Sequence, residues 1–318
     1  MPRRSVRRIV CLLGLVTVAL PDSPRLHAAI LYVDNRQGRD VYDGRSERPI
    51  DVASGPLRTI GRALRLAGPG DAIVVANTGV PYTGPVALAG PRNSGFESLP
   101  LTIVGNGAVV DGSQAIDRSA WRPVRSRGER RTGAGEDPAE RDEANGPVAP
   151  TRLWAMTPWR KGTYLLLNGD APLPEHPRPR NLDGLAALPA GHWTALGGSI
   201  YLRLPALEEP GDHPLRLAWE PMGLSLYKVR HVLIRDLTFQ HFQVDGVNLH
   251  DLCEDVVLDN VRSLQNARAG VTVAGTSSVI LRNCELRGNG RHSLLVTEKA
   301  GAEVDAASQL STPPTVAE

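Results

Sequence analysis

Between His241 and Asp251 the chain places His241, Asp245, His250 and Asp251, and Glu254 and Asp255 follow shortly after. Imidazoles and carboxylates at this density are the side chains that move protons in catalysis, so these four are the candidate catalytic residues. The competing reading of each, taken alone, is a solvated turn. Distance limits the chemistry. Paired acids that cut a glycosidic bond stand about 5–5.5 Å or about 6.5–9.5 Å apart. Asp245 and Asp251 flank one apolar run, and in an extended strand at about 3.3 Å per residue they would be about 20 Å apart. They cannot form such a pair.

The elements that hold these residues repeat. Val232-Leu233-Ile234-Arg235-Asp236-Leu237, Val256-Val257-Leu258-Asp259-Asn260-Val261 and Val279-Ile280-Leu281-Arg282-Asn283-Cys284 align at offsets of 24 and 23 residues. Val247 and Leu249, Val271 and Val273, and Leu294 and Val296 follow at the same phase, with Gly246 and Gly270 just ahead. A period of this length with short strands is a solenoid signature, in which each coil hides its inward side chains by stacking on the next. Equivalent residues then form columns about 4.8 Å apart. Val232, Val256 and Val279 would make one inner ladder, and Ile234, Leu258 and Leu281 another. Arg235, Asp259 and Arg282 alternate in sign at an outward position, and Asp236, Asn260 and Asn283 fall at a bend. The cluster residues break their columns: His241 aligns with Gln265 and Gly288, Asp245 with Ala269 and His292, His250 with Ala274 and Thr297, and Asp251 with Gly275 and Glu298. Asp251 and Glu298 would stand about 10 Å apart, two coils along one column.

These repeats resemble the right-handed parallel β-helix coils of the pectin-lyase-like superfamily. Gly55-Pro56-Leu57-Arg58-Thr59-Ile60 with Ala63-Leu64 reads as an amphipathic helix presenting Leu57, Ile60, Leu64 and Ala67 on one face. In that superfamily such a helix caps the open N-terminal end. Leu101–Gly105 and Val109–Gly112 are similar to its early coils. The resemblance covers about 30–114 and 221–299 and implies an all-β fold: a parallel β-helix with an N-terminal capping helix and an inserted β-rich module. Activity does not follow from fold. Asp245-Gly246-Val247-Asn248 is similar to part of a polygalacturonase motif, but that family's second paired aspartate, Gly-His-Gly and Arg-x-Lys are missing, so its catalytic roles are not carried over. A calcium-dependent lyase would need grouped carboxylates and an Arg or Lys base. Arg235 and Arg282, with Asp255, are the candidate substrate-binding residues, although a surface charge ladder explains the arginines more simply. Calcium is the cofactor such a reading would bring.

The expected organisation is a signal peptide (1–29), cap and first coils (30–114), a charged flexible loop (115–150), an inserted β-rich module (151–220), further coils (221–299) and a flexible tail (300–318). All five tryptophans (Trp121, Trp154, Trp159, Trp193 and Trp219) fall in or beside the insert. They serve either as a sugar-stacking platform or, more simply, as the core of a small module. The tail has Pro313-Pro314 and few large apolar residues, so the strand Ser293–Thr297 is expected to end the solenoid as an open, weakly protected edge, with fraying or self-association there.

The first 29 residues carry Arg3, Arg4, Arg7, Arg8 and Arg25 against Asp22, then the apolar run Ile9–Leu20 and the small pair Ala28-Ala29. That is the pattern of a secretory signal, which implies export to the periplasm, cell surface or exterior. Its removal takes five basic and one acidic residue from 36 and 34 and leaves a net charge of −2. A near-neutral body without a basic stripe excludes nucleic acid as a partner, and no later stretch is apolar enough to be an integral membrane segment. Cys253 and Cys284 are read as small buried side chains, with one disulfide as the alternative. The functional expectation is an exported β-helix protein that binds, and at most also cleaves as a lyase or glycoside hydrolase, a polysaccharide or cell-surface glycan. The alternatives are a non-catalytic adhesion solenoid and an inactive relative of a carbohydrate-active enzyme.

Overall fold

The computed structural model describes residues 28–124, 151–159, 162 and 164–317, with the short strands Arg141–Asp142 and Gly146–Pro147. Residues 1–27 of the expected signal peptide and most of the expected charged loop lie outside the described residues. The chain winds as a right-handed parallel β-helix whose coils have three sides. The first side stacks Ile30–Val33, Ala72–Val75, Leu101–Asp111, Arg230–Gln240, Glu254–Asp259, Ser278–Arg282 and Gly301–Val304. The second side uses the far halves of the two long strands, then Arg262–Leu264, Glu285–Arg287 and Gln309–Leu310. The third side stacks Val86–Ala89, Met222–Tyr227, Asp245–His250, Ala269–Val273, His292–Thr297 and Thr315–Ala317.

The expected register holds. Val232 pairs with Val256 and Val256 with Val279, and Val247, Val271 and Leu294 stack in the same way. All six are buried in one continuous core with Phe239, Phe242, Leu258 and Leu281. The corners need backbone that a chiral side chain resists. Asp236, Asn260 and Asn283 turn the first into the second side at φ of 57°, 53° and 50°. Short polar side chains tolerate that region, and here they also bond along the column: Asn260 Nδ2 donates to Asp236 Oδ1 at 2.7 Å.

At the N-terminal end the helix Ile60–Leu66 buries Ile60, Ala63 and Leu64 against the core, and Thr59 Oγ1 accepts from Arg62 N–H. The seven-residue helix is too short to persist alone, so packing holds it. Cys253 and Cys284 are both free and buried. No helix among the described residues is long and apolar enough to cross a membrane.

At the other end the expectation of a flexible tail is wrong. Gly301–Val304, Gln309–Leu310 and Thr315–Ala317 pair in parallel with the three strands before them and complete a further coil. Ser293–Thr297 is therefore paired on both sides, and the open edge lies one coil later, where Val316 is 77 % exposed. The small residues misled the reading. A terminal coil has a neighbour on one face only, so Ala300, Ala302 and Leu310, partly buried against the core, suffice there.

The insert leaves the solenoid after Gly112 and returns at Trp219, where Trp219 and Glu220 N–H groups both donate to Gly112 C=O at 2.8 and 2.9 Å. It thus replaces one corner between the second and third sides. Two antiparallel four-stranded sheets close over their own core of Trp121, Trp154, Trp193, Leu166, Ile200 and Leu202.

Candidate functional site

Two polar clusters flank the line where insert meets solenoid. The first sits at the corner between the second and third sides. His241 holds that corner at φ 62°, and its side chain is 0 % exposed. Its Nδ1 lies 3.0 Å from Asp111 Oδ2 in the preceding coil, and its Nε2 lies 2.9 Å from Gln265 Oε1 in the following one. Asp111 also accepts from Ser113 N–H, Ser113 Oγ and Gln240 Nε2, while Arg216 of the insert stands 3.4 Å away. Burial opposes the Asp111 charge, but the bonds from His241, Ser113 and Gln240 outweigh it and hold the carboxyl well below the usual range. Burial likewise opposes charge on His241, and the Asp111 contact overcomes it, so its pKa is raised.

Asp170, at the exposed turn of the insert, brings a second carboxylate to this corner; one donor atom each of Asp111, Asp170 and His241 falls within 4.8 Å of the others. The donors do not fit calcium. That ion takes six to eight oxygens, whereas here an imidazole is central, both its nitrogens already face oxygens, and a guanidinium stands beside Asp111. The Arg216 guanidinium supplies a fixed positive charge beside Asp111 instead.

The second cluster lies on the outer face of the third side. A Cβ at Gly246 would stand 1.9 Å from Ser263 Oγ, and one at Gly270 would stand 2.7 Å from Asn289 Nδ2, so both positions face inward and have no room for a side chain. Val247 and Leu249 are inward too, which leaves Asp245 and Asn248 together outside. Asp245 is 0 % exposed. Arg268 Nε and Nη2 donate to its two oxygens at 2.9 and 2.5 Å, and Asn248 Nδ2 donates to Oδ2 at 2.8 Å. Such a two-pronged charge-assisted pair is strong and directional. Ser225, Asn248, Thr272 and Leu295 form one outward column. Thr272 is 4 % exposed, and its Oγ1 has no hydrogen-bond partner among the described residues. One residue column over, the Tyr227 and His250 rings lie 5.0 Å apart.

The four expected catalytic residues do not share an accessible face. His241 and Asp245 are buried, His250 is half-buried on the third side, and Asp251 is exposed at a left-handed corner with φ 68°. The column-breaking argument found unusual residues but ignored the coil below, which supplies Gln265 and Arg268 as partners. The expected substrate-binding residues are on the first side instead. Arg235 donates to Asp236 at 3.0 Å, Asp255 meets His231 Nδ1 at 2.7 Å, and Arg282 is exposed. None of them joins the third-side cluster. Asp111, Gln265, Arg216, Asn248, Arg268 and Thr272 were not singled out from the sequence. Asn248 and Thr272, polar between apolar neighbours on outward positions, carried a visible alternation signal. Arg216 and Asp111, 105 residues apart, carried none.

The tryptophans divide. Trp121, Trp154 and Trp193 are in the insert core, whereas Trp159 is 80 % exposed and its ring lies 5.0 Å from that of Trp219 at the neck of the insert. Gly162 sits against Gln243, and Gln243 N–H donates to Glu220 C=O, so this aromatic pair stands at the upstream end of the third-side face. Further down, burial raises the pKa of insert residue Glu175, with Arg178 and Arg291 opposing.

No family model and no curated protein matches the chain. Two solved structures share its architecture. One, described as a complex of XylC with xylose, aligns with a TM-score of 0.55 at 9 % identity over 86 % of this chain and 57 % of its own. The other, described as a glycoside hydrolase, aligns at 0.53 and 12 % identity over 85 % of this chain and 68 % of its own. The chain thus spans about 57–68 % of their lengths. At such identities the likeness is one of fold.

Proposed function

We propose that this chain is an exported carbohydrate-binding β-helix whose ligand, a polysaccharide or cell-surface glycan, lies on the outer third side beside the insert. The observation that carries the reading is Thr272, whose buried outward hydroxyl has no partner among the described residues and lies next to an ion-paired carboxylate. A buried hydroxyl left unpaired costs about 1–3 kcal/mol, and a ligand hydroxyl that reaches it as the closed face opens would relieve it. Trp159 and Trp219 add apolar faces at one end, and Asn248 and Arg268 offer fixed donors at the centre. The solved structures of like fold, one holding xylose and one a glycoside hydrolase, support the ligand class.

Binding is favoured over cleavage. Both oxygens of Asp245 are engaged by Arg268 and Asn248, so its carboxylate is held as a recognition element and is not presented as a free nucleophile. That arrangement also suits an inactive relative of a carbohydrate-active enzyme. Export rests on the basic-then-apolar start of the chain, and N-terminal sequencing of the protein from a secreting host would test it: an intact Met1 would contradict it.

A glycan array of the mature chain, run with and without chelator, tests the ligand class. We expect hits that survive chelation and weaken about fivefold in Asn248→Ala, the size of one lost hydrogen bond of about 1 kcal/mol. An array without hits, or hits indifferent to Asn248→Ala, would contradict the reading.

A further inference from the structure

The insert carries a cavity of its own, away from the third side. It has a volume of about 320 Å³, and its walls include Leu173, Leu202, Leu204 and Leu215. Three of these are core residues, since Leu202, Leu204 and Leu215 are buried, so the cavity opens directly into the space between the two sheets. Two polar side chains also line it, Glu208 and His213. His213 Nε2 lies 3.0 Å from Glu208 Oε2 but off the line a hydrogen bond needs, and the nitrogen is shut off from solvent. It is a ring nitrogen facing an acceptor that it does not properly engage.

We propose that this cavity binds a small phenol-like compound, with its ring between the leucines and its hydroxyl on the Glu208 carboxylate. Size supports the class, because an apolar cavity of about 150 Å³ already accepts benzene, and ligand sites begin at about 300 Å³. The open carboxylate supports the hydroxyl. A hydroxyl donates to Glu208, whose charge the closed-off His213 nitrogen leaves without a proper hydrogen bond. A carboxylate ligand would meet Glu208 with like charge, and a plain hydrocarbon would leave both groups as they are. The site is independent of the third side, so it can fail without touching the glycan reading.

Calorimetric titration of the full chain with 4-ethylphenol, ethylbenzene and 4-ethylbenzoate decides the matter. The expected result is saturable binding of 4-ethylphenol at one site, at least tenfold tighter than either of the others. Glu208→Ala, at a half-exposed position, should reduce 4-ethylphenol to the ethylbenzene level with the melting temperature unchanged. Leu204→Trp should abolish binding by filling the cavity. If that variant does not fold, Leu173→Trp, at a half-buried lining position, replaces it, with the same loss expected. No saturable binding of 4-ethylphenol would overturn the proposal. Equal affinity for phenol and hydrocarbon, or binding indifferent to Glu208→Ala, would overturn it as well.

Discussion

The corner around His241 and the outer face around Asp245 are built from the same materials and come out differently. Each has a buried carboxylate, a cationic partner and amides from adjacent coils. At the corner the buried carboxylate and imidazole are fully met: Asp111 by His241, Ser113, Gln240 and Arg216, and His241 by Asp111 and Gln265. On the outer face the set stops one short, at Thr272 Oγ1. A fully satisfied buried network serves to hold parts together. A network short of one partner is a place to receive one. His241 is therefore assigned to joining insert and solenoid, and the third side is the face proposed for binding.

The largest effect should come from breaking the corner. His241→Ala removes the main partner of a buried carboxylate, and stripping one half of a buried pair costs about 3–5 kcal/mol. Urea denaturation should show this loss. Replacing Arg268 by Ala should cost less, about 1–2 kcal/mol, because Arg268 is partly exposed and water can reach the vacated position. Its larger consequence should be in glycan affinity. If both variants lost equal stability, the division of labour between the clusters would fail.

The corner should also set the pH response. His241 has a raised folded pKa, so its contribution is complete below the unfolded value of about 6.5 and is lost as pH rises through the folded value. Asp111 has a depressed one, so its contribution is present above about 3.8 and disappears as pH falls through the folded value. Stability should therefore decline on the alkaline side of 6.5 in the parent protein and flatten there in His241→Gln. Equal pH slopes in the two proteins would show that the histidine does not carry the linkage. A smaller effect is expected at Trp159. Being largely exposed, it should be replaceable by Ala within about 0.5 kcal/mol of stability, while glycan affinity drops several-fold if the aromatic pair forms part of the surface.

Much of the scaffold was legible because stacking imposes one rule on every coil. Val232, Val256 and Val279 revealed the period, and Asp236, Asn260 and Asn283 revealed a corner before any backbone angle was known. The same rule would have reached the last coil, since Val279 and Leu281 continue at an offset of 23 to Ala302 and Val304. It was missed because a terminal coil needs less apolar bulk. The clusters were only half legible. Column breaking marked His241 and Asp245 as unusual, but it cannot say whether an unusual residue faces water or a partner one coil away. Asp111 and Arg216 meet only because a whole module intervenes and folds back, a relation no local pattern encodes.

The account turns on Thr272, and one substitution separates a binding hydroxyl from a structural one. Thr272→Val keeps the side-chain shape and removes the unpaired oxygen, so both its unfolding free energy and its affinity for the best glycan from the array should be measured. The account predicts stability equal to or above that of the parent, together with binding weakened about fivefold or more, the equivalent of a hydrogen bond of about 1 kcal/mol. A variant that loses stability while binding the glycan undiminished would contradict it.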